Sequence, residues 1–339
     1  MPQNYKFSDS ELLYLLTTND KKEIDNLYKR ARDLTKKVYS NKIYIRGLIE
    51  ISNYCKQGCF YCGINRDNRS IKRFRLTKDQ ILRQADFGYS VGFRTVVLQG
   101  GEDPLLGDDF FAEIISKIKD KYKDMRITLS IGVREHESYD RLRKAGADRF
   151  LLRHESANEE VFNKIHPKDQ NLSSRIEALK YMKSLGYQIG TGFMVEAPYT
   201  CTKTHIEDIK LIRDIRPQMI GIGPFISHKD TKFRNFKNGT SNLTTRLISI
   251  LRIENPNALI PSTTALNTID ENGRIKGILS GANVIMPNLS PSFAKDNYTL
   301  YDNKKVTGLE SAFGLKKLDD LLKEYGYEIA IDPGDYKGE

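Results

Sequence analysis

The sequence contains no apolar run long enough to cross a membrane and no low-complexity tract, which argues against a membrane-spanning or fibrous protein. No apolar export segment opens the chain, so a fold held by disulfides is not expected and the cytoplasm is the expected location. The formal net charge is +10, but the Lys and Arg side chains are interleaved with Asp and Glu. No nucleic-acid-binding motif accompanies this charge, so neither a nucleic acid nor a membrane is an expected partner.

Cysteine is also scarce, with four in 339 residues, yet three of them fall within one stretch of eight, at Cys55, Cys59 and Cys62. A structural zinc site usually takes four protein ligands as two spaced pairs, and no second pair or nearby His completes such a set. Three thiolates on a cubic 4Fe-4S cluster leave one iron without a protein ligand and free to bind a small molecule. The cysteine count therefore favours an iron-sulfur cluster with an open iron, whereas Cys201 is expected to be a free thiol.

Helical and strand patterns alternate along most of the chain. The spacing of apolar residues from Asp9 to about Ser40 predicts helices, and the following pattern predicts eight strands with helices between them. Regular alternation of this kind favours one closed (β/α)8 TIM-type barrel over an open doubly wound α/β sheet. The predicted strands cover residues 43–51, 95–98, 126–131, 149–153, 188–194, 219–223, 259–264 and 283–286.

The predicted organisation has three parts. Residues 1–41 form an N-terminal helical preface, residues 42–290 form the barrel, and residues 291–339 form a C-terminal segment that packs on it. A helix from about Ala312 to Tyr325 is expected in the last part, because its leucines recur at helical spacing.

Polar residues and glycines recur where the predicted strands end. In a barrel of this kind the active site lies at the C-terminal ends of the strands. The cysteine loop follows strand one, Gly100–Glu102 follows strand two, and Arg153 and Glu155 follow strand four. Taken singly, the glycines could be a tight strand exit, the charged residues structural ion pairs, and Arg175 a surface charge. Taken together, they predict one active site at the mouth of the barrel.

The spacing Cys-x-x-x-Cys-x-x-Cys, with an aromatic residue before the last cysteine, resembles the radical S-adenosylmethionine (SAM) enzymes. Further segments, in order along almost the whole chain, resemble the HydE family, the radical SAM maturases of FeFe-hydrogenase. These segments are residues 59–68, 97–104, 147–155, 221–226, 260–265 and 281–288.

This resemblance implies a barrel with a long internal cavity, holding one 4Fe-4S cluster and SAM at the top and the substrate below. It implies that the cluster is ligated by Cys55, Cys59 and Cys62. The residues implied to bind SAM are Tyr61, Gly100, Gly101, Glu102, Glu155, Arg175, Met194 and Phe225. The residues implied to bind substrate are Gln99, Arg153, Thr263, Thr264, Met286, Tyr298 and Tyr301.

The implied activity is reductive cleavage of SAM to a 5′-deoxyadenosyl radical. In the HydE family this radical is thought to act on an iron-cysteine complex that carries carbonyl and cyanide, during assembly of the hydrogenase H-cluster. The implied partners are the maturases HydG and HydF and an electron donor such as ferredoxin or flavodoxin. Two alternatives stay open: an organic substrate, as in methylornithine synthase or biotin synthase, and a non-catalytic iron-sulfur scaffold.

Two stretches depart from the pattern of the HydE family. Many HydE proteins carry three more cysteines for an auxiliary cluster, but Val306–Leu318 contains none, so no auxiliary cluster is expected. The usual turn Gly-Leu-Pro-Gly-Gln-Thr after strand five is replaced by Glu196–Cys201. The conformation of this loop, and any contact it makes with SAM, is therefore left open.

Overall fold

The computed structural model describes residues 5–304, 308 and 311–338. The helices are α1 (Asp9–Thr17), α2 (Lys21–Tyr39), α3 (Lys78–Ser90), α4 (Asp108–Lys121), α5 (His136–Lys144), α6 (Glu159–Ile165), α7 (Leu172–Ser184), α8 (Thr202–Ile215), α9 (Ser241–Glu254), α10 (Thr264–Ile269), α11 (Gly273–Leu279), α12 (Ser292–Asn297) and α13 (Leu315–Glu324). The strands are β1 (Lys42–Ile45), β2 (Gly47–Ser52), β3 (Thr95–Gly100), β4 (Arg126–Ser130), β5 (Arg149–Leu151), β6 (Gln188–Thr191), β7 (Met194–Val195), β8 (Met219–Ile220), β9 (Gly223–Pro224), β10 (Val284–Ile285) and β11 (Glu328–Ala330). In these ranges we find no helix with the length and apolarity that a membrane span requires.

The helical preface is two helices, each begun by its own capping residue. Ser8 and Glu11 form a reciprocal capping box at the start of α1. At the start of α2, the Asp20 carboxylate accepts the N–H groups of Lys22 and Glu23. On the outside of the barrel, α1 packs against α8 and α9, and α2 packs against α9 and α11.

Six parallel strands form the main sheet, in the order β2-β3-β4-β5-β6-β8. Parallel bridges from Met219 to Leu259, from Pro261 to Val284 and from Leu48 to Asn288 continue this order and return it to β2. The sheet thereby closes on itself, and the predicted TIM-type barrel is confirmed. The predicted seventh strand, residues 259–264, is reduced to isolated bridges at Leu259 and Pro261, and Thr264 already begins α10.

The alternation of side chains along β2 decides what lines the barrel. Ile49 and Ile51 belong to the large apolar core between the sheet and the surrounding helices. Because successive side chains of a strand point to opposite faces, Leu48, Glu50 and Ser52 point into the barrel. The inward face of β2 is therefore polar towards the C-terminal end of the strand.

The C-terminal residues close the bottom of the barrel, which the sequence pattern did not predict. Strand β11 pairs in parallel with β1. Beyond it, the fully buried Arg149 guanidinium donates to the carbonyl oxygens of Pro333 and Gly334 at 3.0 and 3.1 Å and to Oδ1 of Asp335 at 2.7 Å. The open end of the barrel is thus the opposite one, where the cysteine loop lies.

Candidate active site

The cysteine loop begins where β2 ends and is shaped by two kinds of side chain. The Arg73 guanidinium donates hydrogen bonds to the carbonyl oxygens of Ile64, Asn65 and Asn68 at 2.8, 2.6 and 3.0 Å. Asn65 Oδ1 in turn accepts the N–H of Asn68 at 3.1 Å, a turn that Asn side chains favour. These contacts hold a loop that has little regular structure of its own.

Cys55, Cys59 and Cys62 are free thiols on this loop. Burial raises the pKa of each: that of Cys55 is raised, that of Cys59 reaches about 11, and that of Cys62 lies well above its usual range. Cys55 also raises the pKa of Cys59, and both of these cysteines raise that of Cys62. Thiolates that are this costly to form on their own suit a site where a cationic iron-sulfur group compensates their charge.

Nitrogen donors surround two of the three sulfur atoms. The backbone N–H groups of Gln57 and Glu102 donate to Cys55 Sγ, each at 3.4 Å. The side-chain Nε2 of Gln170 donates to Cys59 Sγ at 3.3 Å. Hydrogen bonds to sulfur are among the contacts by which proteins tune iron-sulfur clusters. Three free thiols on one loop, two of them with N–H donors at sulfur, therefore fit a three-cysteine 4Fe-4S cluster.

Gly101 lets the loop after β3 pack directly on the cysteine loop. A Cβ atom at this position would lie 2.2 Å from the Tyr54 carbonyl oxygen and 2.7 Å from Cys55 Cβ. A side chain could not be accommodated without moving backbone, so Gly101 is required for this close approach. Gly100 is the last residue of β3 and leads into the same contact.

Glu102 is buried and faces the cysteine loop. Its Oε2 accepts a hydrogen bond from Gln57 Nε2 at 2.7 Å, and its Oε1 accepts the N–H of Val133 at 3.2 Å. Glu102 also lines a cavity of about 460 Å³, together with Lys56, Gln57, Gln170 and Arg175. Cavities of this size hold small molecules, and this one places a carboxylate and a guanidinium on its walls.

Arg175 is not the surface charge that a helix position would suggest, since it is only 8% exposed. It donates from Nη1 to the Arg153 carbonyl oxygen at 2.9 Å and from Nη2 to Gln170 Oε1 at 3.0 Å. Arg153 Nη2 lies 3.0 Å from Glu155 Oε2 in an ion pair. The structure therefore brings Arg153 and Glu155, which follow β5, close to Arg175.

His154, between Arg153 and Glu155, turns away from this group. Its ring is fully buried, with Nδ1 3.0 Å from Thr191 Oγ1 and Nε2 3.3 Å from Asp208 Oδ1. These contacts hold the segment that follows β5 against β6 and α8.

Tyr61, Met194 and Phe225 meet in one apolar cluster beside the cysteines, with Phe233 and Phe60. The Tyr61 hydroxyl lies 3.2 Å from Nε2 of the buried His166. Three residues predicted to bind SAM thus belong to one apolar cluster, and Tyr61 is adjacent in sequence to Cys62. Their roles stay predictions.

The residues predicted to bind substrate are more widely spread. Tyr298 is buried, which raises the pKa of its hydroxyl, and the Gln99 side chain opposes this rise. Thr263 caps α10 by accepting the Leu266 N–H, and Thr264 is the first residue of that helix. Met286 packs against the apolar cluster at the lower end of the barrel. Tyr301 lines a separate cavity of about 720 Å³ at the mouth.

The loop Glu196–Cys201, which follows β7, keeps a conformation that glycine would favour. Glu196 and Tyr199 have φ values of +56° and +70°, in the left-handed region. These are the two positions at which the usual turn of the family has glycine. Glu196 Oε2 accepts hydrogen bonds from the N–H and the hydroxyl of Thr240, both at 2.6 Å. The Glu196 side chain therefore makes contacts with the N-cap residue of α9 that glycine could not make.

No sequence motif marks four residues that the structure adds to the site. Gln170 and His166 lie in the connection between α6 and α7, and Gln170 contacts both Cys59 and Arg175. Glu50 and Lys304 form a buried ion pair inside the barrel. For Glu50, the one sequence signal is a charged residue within an otherwise apolar strand.

Comparison with known proteins fits this site. Residues 49–200 match the family model of the Radical SAM superfamily. Together, the barrel and the three-cysteine loop define a radical SAM enzyme, a class that uses a 4Fe-4S cluster and SAM.

Similarity to single proteins is more specific. The chain is 39% identical over 299 residues to the [FeFe] hydrogenase maturase subunit HydE of Thermotoga maritima, covering 88% of this chain and 85% of that protein. It belongs to the HydE family. It is also 27% identical over 302 residues to the 3-methylornithine synthase of Methanosarcina acetivorans, covering 88% of this chain and 85% of that protein. The crystal structure of methylornithine synthase (PylB) shares the fold, with a TM-score of 0.82, 23% identity and coverage of 96% of this chain and 95% of that chain.

Proposed function

We propose that this protein is an FeFe-hydrogenase maturase that forms a 5′-deoxyadenosyl radical from SAM and directs it at an iron-cysteine carbonyl/cyanide precursor of the H-cluster. The observation that carries this proposal is the 39% identity to HydE of T. maritima over most of both chains. The maturases HydG and HydF and a low-potential ferredoxin or flavodoxin are the partners that such a role requires.

The residues around the cysteine loop support the SAM half of the proposal. Cys55, Cys59 and Cys62 would hold the cluster, which supplies the electron that cleaves the sulfonium when it is bound. Glu102 and Arg175 line one cavity with opposite charges, which suits the ammonium and the carboxylate of a methionyl group.

The closed barrel supports the second half. A reactive radical needs walls that exclude water, and the barrel below the cysteine loop is closed by strands on all sides and by the C-terminal residues at the bottom. We propose no auxiliary cluster, because Val306–Leu318 contains no cysteine. Within that stretch, residues 306–307 and 309–310 lie outside the described part of the chain.

The test is anaerobic reconstitution followed by two assays. The protein with iron, sulfide, SAM and a reductant is expected to release 5′-deoxyadenosine. Added to HydG, HydF and hydrogenase that lacks its di-iron subcluster, it is expected to restore hydrogen evolution, with the same mixture lacking this chain as control. SAM cleavage without hydrogenase activation would refute the maturase role, and conversion of L-lysine to 3-methylornithine would replace it with that of a methylornithine synthase.

A further inference from the structure

Basic side chains are concentrated around the cysteine loop. Residues 55–75, which contain this loop, carry six Lys and Arg and one acidic residue, and residues 226–238 carry four Lys and Arg and one acidic residue. The two segments therefore have net charges of +5 and +3, which together make up most of the +10 of the whole chain. The interleaving of opposite charges along the rest of the chain does not hold in these two segments.

The two segments contact each other beside the predicted cluster ligands. The Phe60 ring packs edge-on against Phe233, with 6.2 Å between the ring centroids. The Nζ atom of Lys232 lies 3.7 Å from the centroid of the Phe60 ring. Gly63 lies so close to His228 that a Cβ atom at the glycine would be 2.4 Å from His228 Cδ2. The excess positive charge therefore belongs to one region of the molecule.

Some of these charges are neutralised within the protein, and others are not. Three cations pair with carboxylates: Lys56 with Glu102, Arg66 with Asp169 and Arg75 with Asp103. Six more are exposed and form no ion pair with any residue in the described ranges, namely Arg69, Lys72, Lys229, Lys232, Arg234 and Lys237. The C-terminal residues that line the adjoining cavity of about 720 Å³ are balanced in charge, with two lysines and two aspartates. The excess therefore faces solvent.

Two aromatic side chains are exposed in the same region. Tyr199 is 51% exposed and Phe236 is 39% exposed, and their ring centroids lie 5.6 Å apart. Phe236 also contacts the buried Phe233 at 5.1 Å, and Phe233 contacts Phe60, which follows Cys59 in the chain. Exposed aromatic residues with charged residues around them are typical of protein-binding surfaces. Tyr199, Phe236 and the six unpaired cations together form the mouth surface.

We propose that the mouth surface is the docking site of an acidic one-electron carrier protein, a ferredoxin or a flavodoxin. The inference rests on the proposed function, which requires an electron for SAM cleavage, and it assigns the carrier to one face of the protein. In the docked complex the carrier is oxidised by one electron, the cluster is reduced by the same electron, and no atom is transferred. A carrier protein is favoured over a nucleic acid because the surface adjoins the ligands of the group that the carrier must reduce.

The test is calorimetric titration of the reconstituted protein with an oxidised ferredoxin and with an oxidised flavodoxin, both of net negative charge. The wild type is expected to bind at least one of them, about tenfold more weakly or worse when salt is raised from about 0.05 M to about 0.3 M, because salt screens exposed charges. K229E/R234E/K237E reverses three charges of the mouth surface and is expected to weaken binding at low salt by about tenfold or more.

The matched control is K37E/K144E/K180E, which reverses three exposed lysines on the outer helices α2, α5 and α7. It makes the same change in net charge and should keep the wild-type affinity within about twofold. Circular dichroism of both variants checks that they are folded.

A kinetic assay separates docking from the later chemistry. Release of 5′-deoxyadenosine driven by the reduced carrier at low concentration should slow by about tenfold in K229E/R234E/K237E. Release driven by photoreduced 5-deazariboflavin, a small uncharged donor, should not change, because such a donor needs no docking surface.

Unchanged carrier affinity in folded K229E/R234E/K237E, an equal loss in the control variant, or a wild type that binds neither carrier would overturn the proposal. It would also be overturned if K229E/R234E/K237E kept carrier binding but lost binding of an RNA oligonucleotide or activation by HydG and HydF, because the surface would then belong to those partners. Carrier binding needs no hydrogenase. Binding that depends on the mouth surface, without hydrogenase activation, would therefore refute only the maturase role.

Discussion

Gln170 donates a hydrogen bond from Nε2 to Sγ of Cys59 over 3.3 Å. Through Oε1 the same amide accepts a hydrogen bond from Arg175 at 3.0 Å. One side chain thereby connects a predicted cluster ligand to the cation on the wall of the adjacent cavity. Since the two ends of the amide have different partners, substitutions can separate the two contacts.

We expect Gln170→Leu and Gln170→Glu to lower the reduction potential of the bound cluster, because both remove the N–H donor at Cys59. Only Gln170→Leu also removes the acceptor for Arg175, so its SAM affinity is expected to fall by about tenfold while that of Gln170→Glu is kept. Potentiometric titration followed by EPR and SAM titration measure the two effects. Equal potentials in all three proteins would show that the sulfur contact has no influence on the cluster.

The three clustered cysteines and Cys201 provide a matched pair of substitutions. Cys59→Ser removes a buried thiol and is expected to abolish SAM cleavage and most iron binding. Cys201 is exposed, so Cys201→Ser should bind iron and cleave SAM as the wild type does. Iron analysis and chromatography of 5′-deoxyadenosine check both variants. Full iron content in Cys59→Ser would contradict three-cysteine ligation.

Much of the barrel could be predicted from the sequence, because its strands are apolar and alternate with amphipathic helices. The C-terminal closure could not. Strand β11 has three residues and carries no periodicity, and it pairs with β1, which lies almost the whole chain away in sequence. Contacts of this kind depend on tertiary packing, which a local pattern does not record.

In the candidate site, too, some features could be predicted from the sequence and others could not. The cysteine spacing identified the cluster loop, and the glycines after β3 marked the close approach that Gly101 makes. Gln170 had no motif, since its importance comes from two partners in other segments. Glu50 reads as one polar residue in an apolar strand, and its partner Lys304 is 254 positions away.

Glu196 stabilises the altered loop through Thr240, the N-cap residue of α9. Glu196→Ala removes two hydrogen bonds to the start of this helix and is expected to lower the free energy of unfolding by about 1–2 kcal/mol. Glu196→Gln keeps an acceptor and should lose less. Urea unfolding followed by circular dichroism measures both, since the chain has no tryptophan. A smaller loss in the alanine variant than in the glutamine variant would rule out this role.

Asp335 at the bottom of the barrel makes stability depend on pH. Its burial opposes ionisation, but hydrogen bonds and charge from Arg126 and Arg149 lower its pKa from 3.8 to about 2. A carboxylate with a lowered pKa in the folded state adds stability above its unfolded pKa, and this stability is lost as the pH falls from about 4 to 2. Asp335 is 35% exposed, so solvent screening limits the contribution to about 1 kcal/mol.

Asp335→Asn is therefore expected to be less stable than the wild type at pH 7 by about 1–2 kcal/mol, because Arg149 keeps its carbonyl acceptors but loses the carboxylate. The difference in urea midpoint between the two proteins should narrow as the pH is lowered from 7 towards 3. The control is Asp120→Asn, since Asp120 is 79% exposed in its pair with Lys123 and should change neither the midpoint nor its pH dependence. Because each comparison is a difference at one pH, acid effects common to all three proteins cancel. A gap between Asp335→Asn and wild type that stays constant down to pH 3 would show that the Asp335 carboxylate does not supply this pH dependence.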